Sequence, residues 1–217
     1  MGPPLVELSA PEAGLEVRGG LFLDLNRAIA KELGRDAVFV AQPRRRLEQV
    51  LQTGGADVLC FAHPAWAAEP DQLAWSSLYL NESTELVAAA GVAMPTLLAE
   101  LSPGLVGTVS GYVYPELDKA LTQPGVVRDD GPNDEANLRK LLAGRTQYMV
   151  THGLYLDYML HRQPQIRTAL GQRRVLRMFD TRCALGPKSV VSLRAFDAAL
   201  QRLRDSGAYE ALLKRYR

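Results

Sequence analysis

The chain has 217 residues, 47% apolar and 23% charged, with 18 Gly and 13 Pro, which is globular rather than disordered or fibrous composition. That length allows one large domain or two lobes of about 100 residues each. Twenty-five Lys and Arg against 24 Asp and Glu leave a formal charge of +1. There is no basic stripe and no run of about 18 apolar residues, so the sequence points away from nucleic acid and from a membrane helix.

In chain order, Leu5–Leu8 and Leu15–Arg18 alternate around the breakers Pro11 and Gly14, which predicts a hairpin. Phe22, Leu25, Ile29 and Leu33 then form one apolar stripe on a helix that stops at Gly34. A strand is expected over Ala37–Ala41, and a helix from Pro43 through Leu51. Val58–Phe61 follows as a short apolar run of the kind found in buried parallel strands. After His63-Pro64 comes an irregular stretch with Trp66 and Trp75, then a strand over Glu85–Ala90.

A second α/β series follows. It comprises strand Leu105–Val109, helix Pro115–Leu121, strand Val126–Arg128, helix Asn133–Ala143, strand Tyr148–Thr151 and helix Leu154–Arg162. The chain closes with strand Val175–Phe179, the apolar Cys183-Ala184-Leu185, a helix carrying Leu193, Phe196, Leu200 and Leu203 on one face, and a last helix Tyr209–Tyr216 after Gly207. The fold class expected is α/β in two lobes, residues 1–88 with 184–217 and residues 89–183. The two cysteines, Cys60 and Cys183, are too few for a cysteine zinc site and lie too far apart for a CxxC motif. A single disulfide and two buried thiols both remain open.

Several segments together carry a family resemblance. Gly20 to Leu25 running into Ile29-Ala30-Lys31-Glu32-Leu33-Gly34, then Leu47 to Asp57, Trp75-Ser76-Ser77-Leu78-Tyr79, Gly107 to Gly111, and Leu203 to Tyr209 resemble, in the correct order, the bacterial extracellular solute-binding proteins of the amino-acid-binding type, family 3. The resemblance implies the type II periplasmic-binding-protein fold: two α/β lobes joined by a hinge of crossing strands around a central ligand cleft. It also implies capture of a small polar or anionic solute for the membrane permease of an ABC transporter, by a periplasmic monomer with no cofactor. Pro3-Pro4 resembles the segment that follows the family's first strand, so the chain is expected to begin about a dozen residues late. Met1-Gly2-Pro3-Pro4 shows no signal-peptide pattern.

The family's zwitterion-holding positions are filled differently here. The stacking position falls on Arg44, the carboxylate-binding Arg near Glu69, the Ser/Thr pair on Tyr112 and Val113, and the ammonium-binding Asp on His152. A common α-amino acid is therefore not expected as ligand. Arg44 offers a bidentate fork for an anionic group, against the alternative of a solvated Arg44-Arg45-Arg46 run. Trp66 either stacks on a flat ligand or packs under its loop. His152 sits at a strand's carboxyl end, where α/β ligands bind, and a structural role is the alternative. Tyr112, with the amides around Ser110 and Gly111, is a candidate donor to ligand oxygens at a helix N-terminus. His63 lies on the equivalent rim of the first lobe.

Enzyme signatures are sparse. In Gly107-Thr108-Val109-Ser110-Gly111 the Ser stands fourth, so this is no nucleophile elbow, and HExxH, P-loop and GxGxxG patterns are absent. No metal site is expected, since His152 and His161 lack helical spacing. A sensor domain of the same fold and a cyclohexadienyl-dehydratase-like lyase are the alternatives, the lyase with His152 and Glu69 as its acid–base pair.

Overall fold

The computed structural model describes residues 5–9, 16–42, 46–101, 103–112 and 114–216. Its elements in chain order are β1 (Glu7–Ser9), β2 (Glu16–Gly19), α1 (Leu21–Glu32), α2 (Leu47–Thr53), β3 (Val58–Ala62), β4 (Ala74–Trp75), β5 (Leu80–Ala89) and β6 (Gly104–Val109). They continue with α3 (Asp118–Leu121), β7 (Val126–Gly131), α4 (Asp134–Leu142), β8 (Tyr148–His152), α5 (Gly153–Arg162), β9 (Leu170–Leu185), α6 (Leu193–Asp205) and α7 (Ala208–Leu213). The chain divides into an inserted unit, Glu82–Met178, and a terminal unit made of the residues up to Asn81 together with Phe179–Tyr216.

In the inserted unit the strands lie in the order β5-β8-β6-β7, with β9 on the other side of β5. β6 is parallel to β7 and β8, and β5 is antiparallel to β8. Residues alternate across this sheet. Leu86, Ala88, Tyr148 and Val150 join Val106, Leu117 and Val126 in one core, while Val87 and Met149 join Leu138, Leu141, Leu156 and Ile166 in another. A sheet covered on both faces explains why its strands read as nearly continuous apolar runs. Each such Leu or Met contributes about 1.5–3 kcal/mol by burial, so a one-residue slip would exchange the two cores at prohibitive cost.

Helix α4 starts where the sequence places it, because the Asn133 side chain accepts the Ala136 N–H at 2.9 Å. Helix α5 follows His152, whose side chain makes no capping hydrogen bond to the first turn. Its Leu154 N–H is met instead by Glu82 of β5, at 3.2 Å.

In the terminal unit β1 and β2 form the expected antiparallel hairpin. α1 buries Leu21, Leu25 and Ile29 and packs on α6 and α7. The apolar face of α6 is Phe196, Ala199, Leu200 and Leu203. Cys60 of β3 and Cys183 of β9 form a disulfide, so the choice left open by the sequence falls on the bridge.

Four local expectations are corrected. Residues 37–41 form no strand: Val38 is 88% exposed, and among the described residues no strand pairs with this apolar run. β3 is antiparallel to β9, not parallel, because the chain returns beside it. The two pieces expected near Val175–Phe179 and Cys183–Leu185 are one strand of 16 residues, β9. Pro115–Leu117 is a 3-10 turn leading into the short α3, not part of a continuous α-helix.

Candidate functional site

The carboxyl ends of the parallel strands β6, β7 and β8 lie on one rim of the inserted unit, where the N-termini of α4 and α5 also begin. This is the end of an α/β sheet at which ligands bind. β6 turns back through Ser110 and Gly111, and Gly111 has φ 78°, a left-handed conformation that favours glycine. The Ser110 N–H donates to Gly131 O at 2.9 Å and the Tyr112 N–H to Val109 O at 3.1 Å. Both amides are thus engaged within the turn and with β7. The turn presents the exposed Ser110, the Gly111 backbone and the half-buried Tyr112.

Arg128 fixes this turn. Its guanidinium donates to Val109 O and Tyr112 O, binds Asp130 at 2.7 Å, and lies 5.5 Å from the centroid of the Tyr114 ring. The Tyr114 hydroxyl accepts the Val109 N–H at 3.0 Å. Burial raises the Tyr114 pKa, and the nearby Asp134 adds to the effect. On this fixed base the Tyr112 ring stands 6.3 Å from that of His152, edge to face. The structure thus brings two sequence candidates together, one from β8 and one from the turn after β6.

Three further groups were not singled out from sequence. Asp134, in the first turn of α4, accepts from the Thr151 hydroxyl at 2.8 Å. The Tyr155 hydroxyl is buried with no hydrogen-bond partner among the described residues. Its pKa is raised by burial, then by the charges of Asp134 and Glu135. Glu82 is only 3% exposed; its carboxyl accepts from Ser83 N–H at 2.8 Å and Leu154 N–H at 3.2 Å through Oε1. Burial pushes the Glu82 carboxyl above the usual range, while His152 and the two N–H groups pull it down and Glu85 pushes it up. Glu85 itself is matched by Arg173 Nε at 2.7 Å, and Arg173 also binds Asp157 at 2.6 Å. The available signal was a pair of glutamates just ahead of the apolar run Leu86–Ala89.

In the terminal unit β3 carries a bulge, and Phe61 there has φ 56°, which costs a non-glycine residue on the order of 1–2 kcal/mol. Just beyond it, His63, Trp66 and Phe179 form an aromatic triangle, with centroids 5.5 Å apart for His63–Trp66 and 5.0 Å for Trp66–Phe179. His63 Nδ1 accepts the Ala65 N–H at 3.1 Å, so Nε2 carries the proton of the neutral ring. Trp75 is half-buried beside Leu51, Leu73 and Ala184, and its indole N–H donates to Pro70 O at 3.0 Å. Glu69 belongs to this unit, where it accepts from Gln52 Nε2 at 2.9 Å. Arg44 and Val113 lie outside the described residues.

Among the described residues no three His, Cys, Asp or Glu side chains gather as a metal site, and no helix is long and apolar enough to cross a membrane. The inserted rim offers an aromatic face, an imidazole and carboxyl groups, a set suited to holding a small polar molecule.

The architecture is shared with solved solute-binding and sensing proteins. An ancestral arginine-binding protein bound to arginine is 20% identical with a TM-score of 0.71, covering 99% of this chain and 93% of that one. A histidine kinase sensor domain with similarity to periplasmic binding proteins is 19% identical at 0.69, covering 99% and 91%. An ancestral amino-acid-binding protein, a precursor of cyclohexadienyl dehydratase, is 18% identical at 0.70, covering 100% and 91%. These similarities define a two-lobed α/β fold of the type II periplasmic-binding-protein class. The chain belongs to the bacterial extracellular solute-binding proteins, family 3, whose model matches residues 13–217. No curated protein matches it significantly.

Proposed function

We propose that this chain is the solute-capturing component of an ABC transporter, a periplasmic monomer that takes up a small polar or anionic solute and delivers it to a membrane permease. The observation that carries the reading is the juxtaposition of Tyr112 and His152 at the carboxyl ends of β6 and β8, 6.3 Å apart, beside the α5 N-terminus. The Cys60–Cys183 disulfide supports an oxidising compartment. In the inserted unit Ser110, Gly111, Tyr112 and His152 serve as ligand contacts. In the terminal unit Arg44, His63 and Trp66 do so, with Arg44 taking an anionic group.

Mass spectrometry of small molecules released on denaturing the purified protein is the test. A retained polar solute that rebinds in calorimetry supports capture, and Arg44→Ala is then expected to weaken an anionic solute by roughly ten- to a hundredfold, with Arg44→Lys intermediate. A retained compound that is converted rather than returned unchanged would instead favour a lyase of the same fold.

A further inference from the structure

Glu82 has one carboxylate oxygen fully used and the other unused. Oε1 accepts the N–H groups of Ser83 and Leu154, at the first turn of the 10-residue helix α5. Oε2 is buried and has no hydrogen-bond partner among the described residues. A buried carboxyl oxygen left unpaired is costly, because it has given up water and received nothing in return. Such atoms are rare in native structures and call for an explanation, of which a partner arriving from outside the chain is one.

The charge pattern says what kind of partner. Elsewhere in the inserted unit acids are matched by bases: Glu85 by Arg173, Asp130 by Arg128, and Asp129 by Lys140. Among the described residues neither Glu82 nor Asp134 forms an ion pair with Lys or Arg; the Glu82 carboxyl, from β5, meets the first turn of α5, and Asp134 stands in the first turn of α4 on the same rim. The groups acting on Glu82 are His152 from β8, the Leu154 amide of α5, and Ser83 and Glu85 on its own strand. The surplus on this rim is negative.

We infer that Glu82 is a ligand-binding residue whose Oε2 accepts a hydrogen bond from a protonated nitrogen of the solute, an alkylammonium or guanidinium group, beside His152 and Tyr112. The assignment rests on the solute-capture reading and deepens it. It places the solute's cationic group on a carboxylate of β5, reached through the unpaired oxygen, while the end of β8 contributes the imidazole. A cation there favours the ionised carboxyl, so binding displaces a proton from Glu82, and affinity falls as pH falls.

The test is calorimetry on wild type, Glu82→Gln and Glu82→Asp with putrescine, agmatine and 4-aminobutyrate, their N-acetylated counterparts, and succinate. At least one of the three amines is expected to bind, its acetylated form tenfold or more weakly. Glu82→Gln, which keeps the oxygen facing Leu154, is expected to lose ten- to a hundredfold in affinity, and Glu82→Asp to lose less. Lowering pH through the Glu82 titration should weaken the amine more for wild type than for Glu82→Gln. Equal affinity of wild type and Glu82→Gln for an amine overturns the assignment, as does binding of succinate or an acetylated solute alone. In both cases solute capture stands. If none of these solutes binds, the assigned class is overturned, and the retained-solute measurement decides separately whether capture survives.

Discussion

The Tyr209 hydroxyl, at the start of α7, donates to the backbone carbonyl of Tyr79, 130 positions earlier. Arg204 of α6 reaches the adjacent Leu78 carbonyl, and its guanidinium lies 4.8 Å from the centroid of the Tyr209 ring. The segments Trp75–Tyr79 and Leu203–Tyr209, two of those that carry the family resemblance, therefore meet in one hydrogen-bonded knot. Tyr209→Phe keeps the ring and removes the donor from a buried carbonyl. It is expected to cost about 1–2 kcal/mol in urea unfolding. A change within error would show that Arg204, which also approaches Tyr79 O at 3.4 Å, supports the carbonyl alone.

Gly153 opens α5 where two side chains of β5 crowd in. A Cβ at that position would sit 2.1 Å from Ser83 Oγ and 2.5 Å from Glu85 Oε1. Alanine normally favours a helix, so the usual expectation for Gly153→Ala is a gain. Here overpacking against a hydrogen-bonded pair dominates, and a loss of about 1–3 kcal/mol is expected. Ser83→Ala in the same chain should recover part of it; a Gly153→Ala protein as stable as wild type would show that the Ser83–Glu85 pair swings aside freely.

The disulfide links positions 123 apart, and both sulfur-bearing residues are buried. Closing a loop of roughly 100 residues in the unfolded chain removes entropy equivalent to about 4.7 kcal/mol, and real bridges often give less. Thiol titration of denatured, unreduced protein should find no free thiol, and Cys60→Ala/Cys183→Ala should lose about 2–5 kcal/mol. Two titratable thiols per chain would remove the bridge and, with it, that support for an oxidising compartment.

What was legible in the sequence follows from where the physics is local. Of the expected stripe Phe22, Leu25, Ile29 and Leu33, Leu25 and Ile29 are buried while Phe22 and Leu33 are only half-buried, with Leu21 and Leu23 buried beside them. Of Leu193, Phe196, Leu200 and Leu203, the last three bury and Leu193 is half-buried. Strand identity depends on partners, which the sequence does not display: the apolar run 37–41 finds none among the described residues, while the polar first half of β9 lies beside β5 despite a weak pattern. The site divides in the same way. His152 and Tyr112, which the structure brings 6.3 Å apart, could be nominated because strand ends and Gly turns are marked locally. Glu82 was not, because the expected strand began at Glu85 and its contact with the α5 backbone comes from Leu154, 72 positions away.

Burial of Glu82 also has a consequence for stability that needs no ligand. Its folded pKa is raised, chiefly by burial, above the value it has in the unfolded chain. The folded state therefore binds the proton more tightly than the unfolded state, and stability falls as pH rises through the interval between the two values. Below the unfolded pKa, about 4.3 for Glu, both states are protonated and the carboxyl imposes no penalty. Above the folded pKa, the native state must hold the charge in a poorly solvated place. Glu82→Gln removes the titration while keeping the acceptor for the Leu154 N–H, so its stability relative to wild type should increase with pH and level off once Glu82 is ionised in wild type. Urea midpoints of both proteins, measured without added solute from about pH 4 to about pH 8, give that difference directly. A difference independent of pH would mean that Glu82 titrates alike in the folded and unfolded chains, and a difference that shrinks as pH rises would mean that His152 and the two amides outweigh burial and stabilise the carboxylate.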